Sequence, residues 1–275
     1  MLAEAVKYAA ARLRGQADPH GHLAQQVAIW ARHRRHSAAW EPHLERAKAL
    51  ALGAAEACPE GARRTALVLG SGLLLDVPLD GLSALFERVV LADMAFVPEV
   101  RAKAARLGNV ELLQADLTGR LDRLRDAPDA PWPDAAAGEA GLAGLATSLP
   151  GLDFAYSANL LSQLPLFALE ALPPGLDAAR RTELAAGLVR RHLDGLAALP
   201  CPACLVTDVT ERGLRQGAVD YEADLLFGVR PGLAGEMWVW DMAPNGEAVR
   251  GLDVVRVVLG VANVRAGNVC DQGRA

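Results

Sequence analysis

The residues best placed to do chemistry are two glycines and two carboxylates. Gly70-Ser71-Gly72 ends the apolar run Thr65-Ala66-Leu67-Val68-Leu69. Glycines at a strand exit let the backbone approach a ligand and leave amide N–H groups free to bind it. A second apolar run, Arg88-Val89-Val90-Leu91-Ala92, ends in Asp93. It follows Gly72 at the roughly 20-residue spacing of an acid that accepts the hydroxyl hydrogens of a ribose. A third run ends in Gln114-Ala115-Asp116-Leu117. A carboxylate there can accept from an exocyclic amine while Ala115 or Leu117 packs on a ring, or it can cap the helix that follows.

These groups need a scaffold that brings strand ends together. Strands are expected at 65–69, 88–92 and 110–114, with helices at 79–86 and 98–107 between them. Pro98 suits a helix's first turn. Alternating strand and helix argues a parallel sheet with right-handed crossovers. Residues 126–134 are rich in proline and 135–149 in small side chains, expected as an exposed loop and a weak helix. Further on, strands are expected at 153–157 and 203–207, a long amphipathic helix at 177–199 and another helix at 218–227. Two β-rich runs at 236–242 and 253–261 flank a turn-rich link and are expected to form an antiparallel pair at the sheet's edge. Residues 1–60 read as a helical cap, broken at Asp18-Pro19 and Glu41-Pro42 into pieces at 2–14, 22–35 and 42–57. The cap carries Trp30, Trp40, His33, His36 and His43 among Arg32, Arg34 and Arg35. It is expected as an amphipathic cap with a solvated basic edge, the alternative being a wall over a binding site. Residues 61–275 form the main domain.

Bulk properties narrow the function. The 275-residue chain has formal net charge −5 and 52% hydrophobic residues, so no basic excess draws it to nucleic acid. No apolar run is long enough to span a membrane, and the N-terminal residues read as a helix rather than a signal peptide. Four cysteines in a chain of this length form no disulfide framework, and a cytoplasmic location is expected. Cys201-Pro202-Ala203-Cys204 precedes a strand instead of opening a helix, so it reads as structural. No metal site is expected: the histidines lack partners at zinc-site spacings.

Taken together, these motifs resemble the class I S-adenosylmethionine-dependent methyltransferases. Val68-Leu69-Gly70-Ser71-Gly72 is similar to that family's first motif, Val90-Leu91-Ala92-Asp93 to its second and Leu113-Gln114-Ala115-Asp116 to its third. Asp153-Phe154-Ala155-Tyr156-Ser157 and the run on to Pro165 are similar to its fourth strand and the loop under the methyl group. The resemblance covers about residues 65–264. It implies a Rossmann-like α/β three-layer sandwich, with a seven-stranded, mostly parallel sheet and an antiparallel last strand. It implies S-adenosyl-L-methionine as cofactor, held by Gly70, Ser71, Gly72, Asp93, Met94, Asp116, Leu117 and Ser157. Tyr156 and Asn159 are the catalytic candidates, with Gln163, Asp208 and Glu211 near the methyl; Trp238 and Trp240 are candidate acceptor walls, although alternate tryptophans on one strand face more often pack in a core or edge. The family commonly has another glycine where this chain has Leu74. A small-molecule acceptor is implied, without nucleic acid or membrane, and homo-oligomerisation is left open. The alternatives are a non-catalytic binding protein of the same fold and, less well matched, an NAD-dependent oxidoreductase.

Overall fold

A computed structural model describes residues 21–119, 121, 124, 126–127 and 141–265. The expected helix at 2–14, the loop at 128–134 and the last ten residues lie outside them. The first described element is helix α1 (His22–Glu56). Then come β1 (Thr65–Leu69), α2 (Leu79–Leu85), β2 (Arg88–Asp93), α3 (Pro98–Leu107) and β3 (Val110–Gln114). They are followed by α4 (Gly141–Ser148), β4 (Leu152–Ala158), α5 (Leu164–Ala171) and α6 (Ala178–Ala198). The chain closes with β5 (Ala203–Arg215), β6 (Ala218–Asp224), β7 (Glu236–Ala243) and β8 (Asp253–Val261).

The sheet order is β3-β2-β1-β4-β5-β8-β7, with β6 paired to the outer part of β5. Strands β1 to β5 pair in parallel, and β8 runs antiparallel between β5 and β7. β1 is buried along its whole length, as a central strand covered on both faces must be. Ala66 and Val68 point into one apolar core and Leu67 and Leu69 into the other, which gives three layers. Helices α1 and α2 cover the first face; α4 and α6 cover the second. This is the Rossmann-like sandwich with a reversed last strand.

Two expectations need correction. Residues 218–227 begin as strand β6, not a helix. Gln216 and Gly217 both have positive φ, 51° and 83°, the backbone of a two-residue hairpin turn. Val219 and Tyr221 then alternate with acidic residues along a ribbon reaching past the core. Nor does the cap helix break at Pro42. It absorbs the proline by bending upstream at His36, whose φ and ψ are −125° and 29°. Among the described residues no helix is long and apolar enough to cross a membrane.

Candidate functional site

The strand order turns around between β1 and β4, and a cavity of about 250 Å³ opens there at the carboxyl ends of the parallel strands. Its floor includes the glycine turn. Gly70 has φ 73°, and a Cβ on it would lie 2.8 Å from Leu160 Cβ, so only glycine lets the β1 and β4 loops meet. Gly72 has φ 49°, and a Cβ on it would meet nothing closer than the Gly70 carbonyl at 3.9 Å. Both glycines line the cavity. Ser71 between them is buried outside it. Leu74 also has positive φ, 60°, and its amide bonds the Ser71 carbonyl at 2.9 Å. The leucine therefore keeps the backbone a glycine would take, at about 1–2 kcal/mol of strain. Its side chain packs on the apolar core beneath α1 and leaves the cavity open.

Asp93 and Asp116 stand at the ends of β2 and β3 and line the same cavity. The Gly72 amide donates to Asp93 Oδ2 at 2.7 Å. Burial pushes the Asp93 carboxyl up to about 6, against the pull of amide donors from Gly72, Ala95 and Met94. Asp116 accepts from the Thr118 amide and hydroxyl through Oδ1, at 2.8 and 2.6 Å, and from the Leu121 amide through Oδ2 at 2.7 Å. It thus caps the turn after β3, and one lone-pair direction on Oδ2 remains for a ligand. Met94 and Leu117 supply apolar surface beside these two acids.

Of the residues on the β1 and β4 strands and loops, three candidates do not reach the cavity. Ser71 is one. Tyr156 is wholly buried, and its hydroxyl donates to the Asp76 carbonyl at 3.2 Å. Burial also lifts its pKa well above that of an ordinary tyrosine, so it anchors the glycine loop and is not a base. Ser157 points to the opposite face of β4, where its hydroxyl pairs with His192 Nε2 at 2.9 Å. Asn159 does line the cavity. It sits at φ 48°, which asparagine tolerates, and its Oδ1 accepts from the Asp208 amide at 3.1 Å. That commits the amide oxygen and leaves its NH₂ as the end a ligand can use.

The cap supplies the opposite wall. His22 stacks on Phe167 of α5 at 3.7 Å, and Gln26 donates to the Ala95 carbonyl at 2.8 Å, fixing α1 over the β2 end of the cavity. Toward β5, Trp40 meets Trp240 edge-on at 4.8 Å and donates to the Met242 carbonyl at 2.9 Å. His43 stacks on Trp240 at 4.2 Å. Trp238 Nε1 donates to His43 Nδ1 at 3.1 Å. An indole N–H only donates, so the neutral ring carries its proton on Nε2. Burial, aided by Arg256, holds His43 down to about 4. Asp208 and Glu211 do not face the cavity themselves; they hold Arg256, which does, at 2.6 and 3.0 Å. The alternative reading of the cap, as a wall over the site, is thus the arrangement observed. Trp240 and Gln163 line the cavity; Trp238 stands behind His43.

The residue that sequence reasoning passed over is Asp76, which lines the cavity. Its signal was a lone carboxylate closing the run Leu73-Leu74-Leu75. Arg256 carried a similar signal, a single charge inside the β-branched run of β8. Cys201 and Cys204 are buried free thiols remote from the cavity, Cys201 pushed up to about 12 by burial.

No family model matches the chain, and no curated protein matches it. Solved structures with similarity include a complex of DhpI with SAH, 18% identical over 88% of this chain and 98% of that one, TM-score 0.34. The N-methyltransferase NodS from Bradyrhizobium japonicum, in complex with S-adenosylhomocysteine, is 12% identical over 80% and 86%, TM-score 0.35. The O-methyltransferase TomG from Streptomyces achromogenes, in complex with SAM, is 14% identical over 94% and 96%, TM-score 0.31. The strand order and the reversed last strand of this chain are what give it a Rossmann-like fold.

Proposed function

We propose that the protein is an S-adenosylmethionine-dependent methyltransferase acting on a small molecule. The observation that carries this reading is the single cavity wall running from Gly70 and Gly72 through Asp93 to Asp116. Its donor set fits the cofactor in order. The open space beside Gly72, where a Cβ would meet nothing closer than 3.9 Å, suits the methionine end. Asp93 can accept from the ribose hydroxyls and Asp116 from the adenine amine, with Met94 and Leu117 against the ring faces. The bound cofactor would supply an electrophilic sulfonium methyl. The chain's share is to align the acceptor, exclude water and handle any proton. Asn159 can orient the acceptor by donation but cannot take a proton. The cap wall, with Trp40, His43 and Trp240, excludes water from the acceptor side.

The second acid at Asp116 favours this reading over an NAD-dependent oxidoreductase, as does the burial of Tyr156. A non-catalytic protein of the same fold is the reading that Leu74, in place of a family glycine, and the lack of a base would favour. Leu74 lies outside the cavity and Asp76 lies inside it, so both supports weaken. The experiment is incubation with methyl-labelled S-adenosylmethionine and a small-molecule extract of the source cells. Label is expected in a low-molecular-weight product; label only in protein or nucleic acid would contradict the proposal.

A further inference from the structure

We propose that Asp76 is the proton acceptor for the reaction, and that the methyl acceptor is a flat molecule presenting a hydroxyl to it. This rests on the methyltransferase reading above.

Placement comes first. Asp76 closes the glycine loop, and its backbone carbonyl is tied by the Tyr156 hydroxyl at 3.2 Å, so its position is fixed from β4. It lines the cavity and is half-buried. Its electrostatic neighbours are Asp208 on β5 and Lys48 on α1, not Asp93 on the ribose side. Lys48 and Asp208 lie on the side where α1 meets β5, and His43 and Trp40 from α1, Trp240 from β7 and Arg256 from β8 line the same cavity as Asp76. The other polar groups on that side are committed or unsuited. His43 presents a proton-bearing Nε2, Arg256 is held by two carboxylates, Asn159 is an amide and Tyr156 is sealed. Asp76 alone of these can take a proton.

Titration agrees with the geometry. Burial lifts the Asp76 carboxyl to about 6, Asp208 adds to the rise and Lys48 opposes it. Such a base is ionised at neutral pH and strong enough to help a hydroxyl, which is a poor nucleophile until its proton leaves. A neutral amine, by contrast, is nucleophilic before any proton leaves it. The ring walls of Trp40, His43 and Trp240 favour a flat acceptor. In the step, the acceptor O–H breaks and its proton moves to an Asp76 oxygen. The oxygen pair bonds the methyl carbon, and the carbon–sulfur pair stays on sulfur to give the thioether S-adenosylhomocysteine. Asp76 then releases the proton to water.

The test uses the full chain and its Asp76→Asn and Asp76→Glu variants. Binding of S-adenosylhomocysteine is measured by calorimetry. Methyl transfer is measured to phenol and to thiophenol, a thiol already ionised at the assay pH. The proposal expects unchanged S-adenosylhomocysteine affinity in both variants. It expects Asp76→Asn to lower transfer to phenol by about 100-fold or more while sparing thiophenol, with partial recovery in Asp76→Glu. Wild-type transfer to phenol should fall as the pH drops through about 6, where Asp76 protonates. A tenfold or greater loss of S-adenosylhomocysteine affinity in Asp76→Asn would make Asp76 a cofactor ligand and overturn the proposal. So would equal losses with phenol and thiophenol, or wild-type transfer to thiophenol alone. A wild type that binds no S-adenosylhomocysteine would instead overturn the methyltransferase reading itself.

Discussion

The Gly72 amide donates to the Asp93 carboxylate across 2.7 Å, tying the end of β2 to the turn after β1. One carboxylate thus shapes the glycine turn with one oxygen pair and keeps others for a ligand. Replacing it should act on ligand and loop together. Asp93→Ala is expected to weaken S-adenosylhomocysteine binding by about 10- to 100-fold, the loss of charge-assisted hydrogen bonds. Asp93→Asn, which still accepts from Gly72, should lose less. Calorimetric titration of both variants checks the order.

Asp93 also sets a pH dependence. Its folded pKa is raised to about 6 by burial. Protonation below that value removes the acceptor that ribose hydroxyls need, so affinity is present above pH 6 and lost as pH falls. For one proton this is about tenfold between pH 7 and pH 5. The slope should flatten in Asp93→Asn. A slope of the opposite sign would exclude ribose recognition by the ionised acid.

Leu74 and Gly70 should behave in opposite ways although both have positive φ. Leu74→Gly relieves strain but gives up core packing, and is expected to leave S-adenosylhomocysteine affinity within about twofold of wild type. Gly70→Ala places a methyl group 2.8 Å from Leu160 Cβ and should abolish tight binding by parting the two loops. Thermal melts beside the titrations separate binding loss from unfolding.

Ser157→Ala tests a residue that looked like a cofactor contact. The change leaves the buried His192 Nε2 without its partner, at about 1–3 kcal/mol of stability. Denaturant unfolding should show that loss while S-adenosylhomocysteine affinity stays unchanged.

The parallel half of the fold was legible because each strand is a short apolar run bounded by glycine, proline or a carboxylate. β1, β3 and α3 have the expected bounds. Asp93 and Asp116 were legible as a pair because strand ends bring them together without help from distant segments. The cap-side wall was not. Trp40 bonds Met242, a separation of 202 residues, and His43 is fixed by Trp238 from 195 residues away. No local spacing encodes such contacts. Tyr156 and Ser157 were misread because neighbours on one strand face opposite sides of the sheet, and neither side of β4 at that height is the cavity. β6 was misread because a ribbon beyond the core has little burial pattern to distinguish strand from helix.

The most direct test of the central claim is paired calorimetric titration of the wild type with S-adenosylmethionine and with NAD. Saturable heat with S-adenosylmethionine, weakened about 10- to 100-fold in Asp93→Ala, is expected, and none with NAD. Saturable heat with NAD, or none with either ligand from folded protein, would contradict the claim.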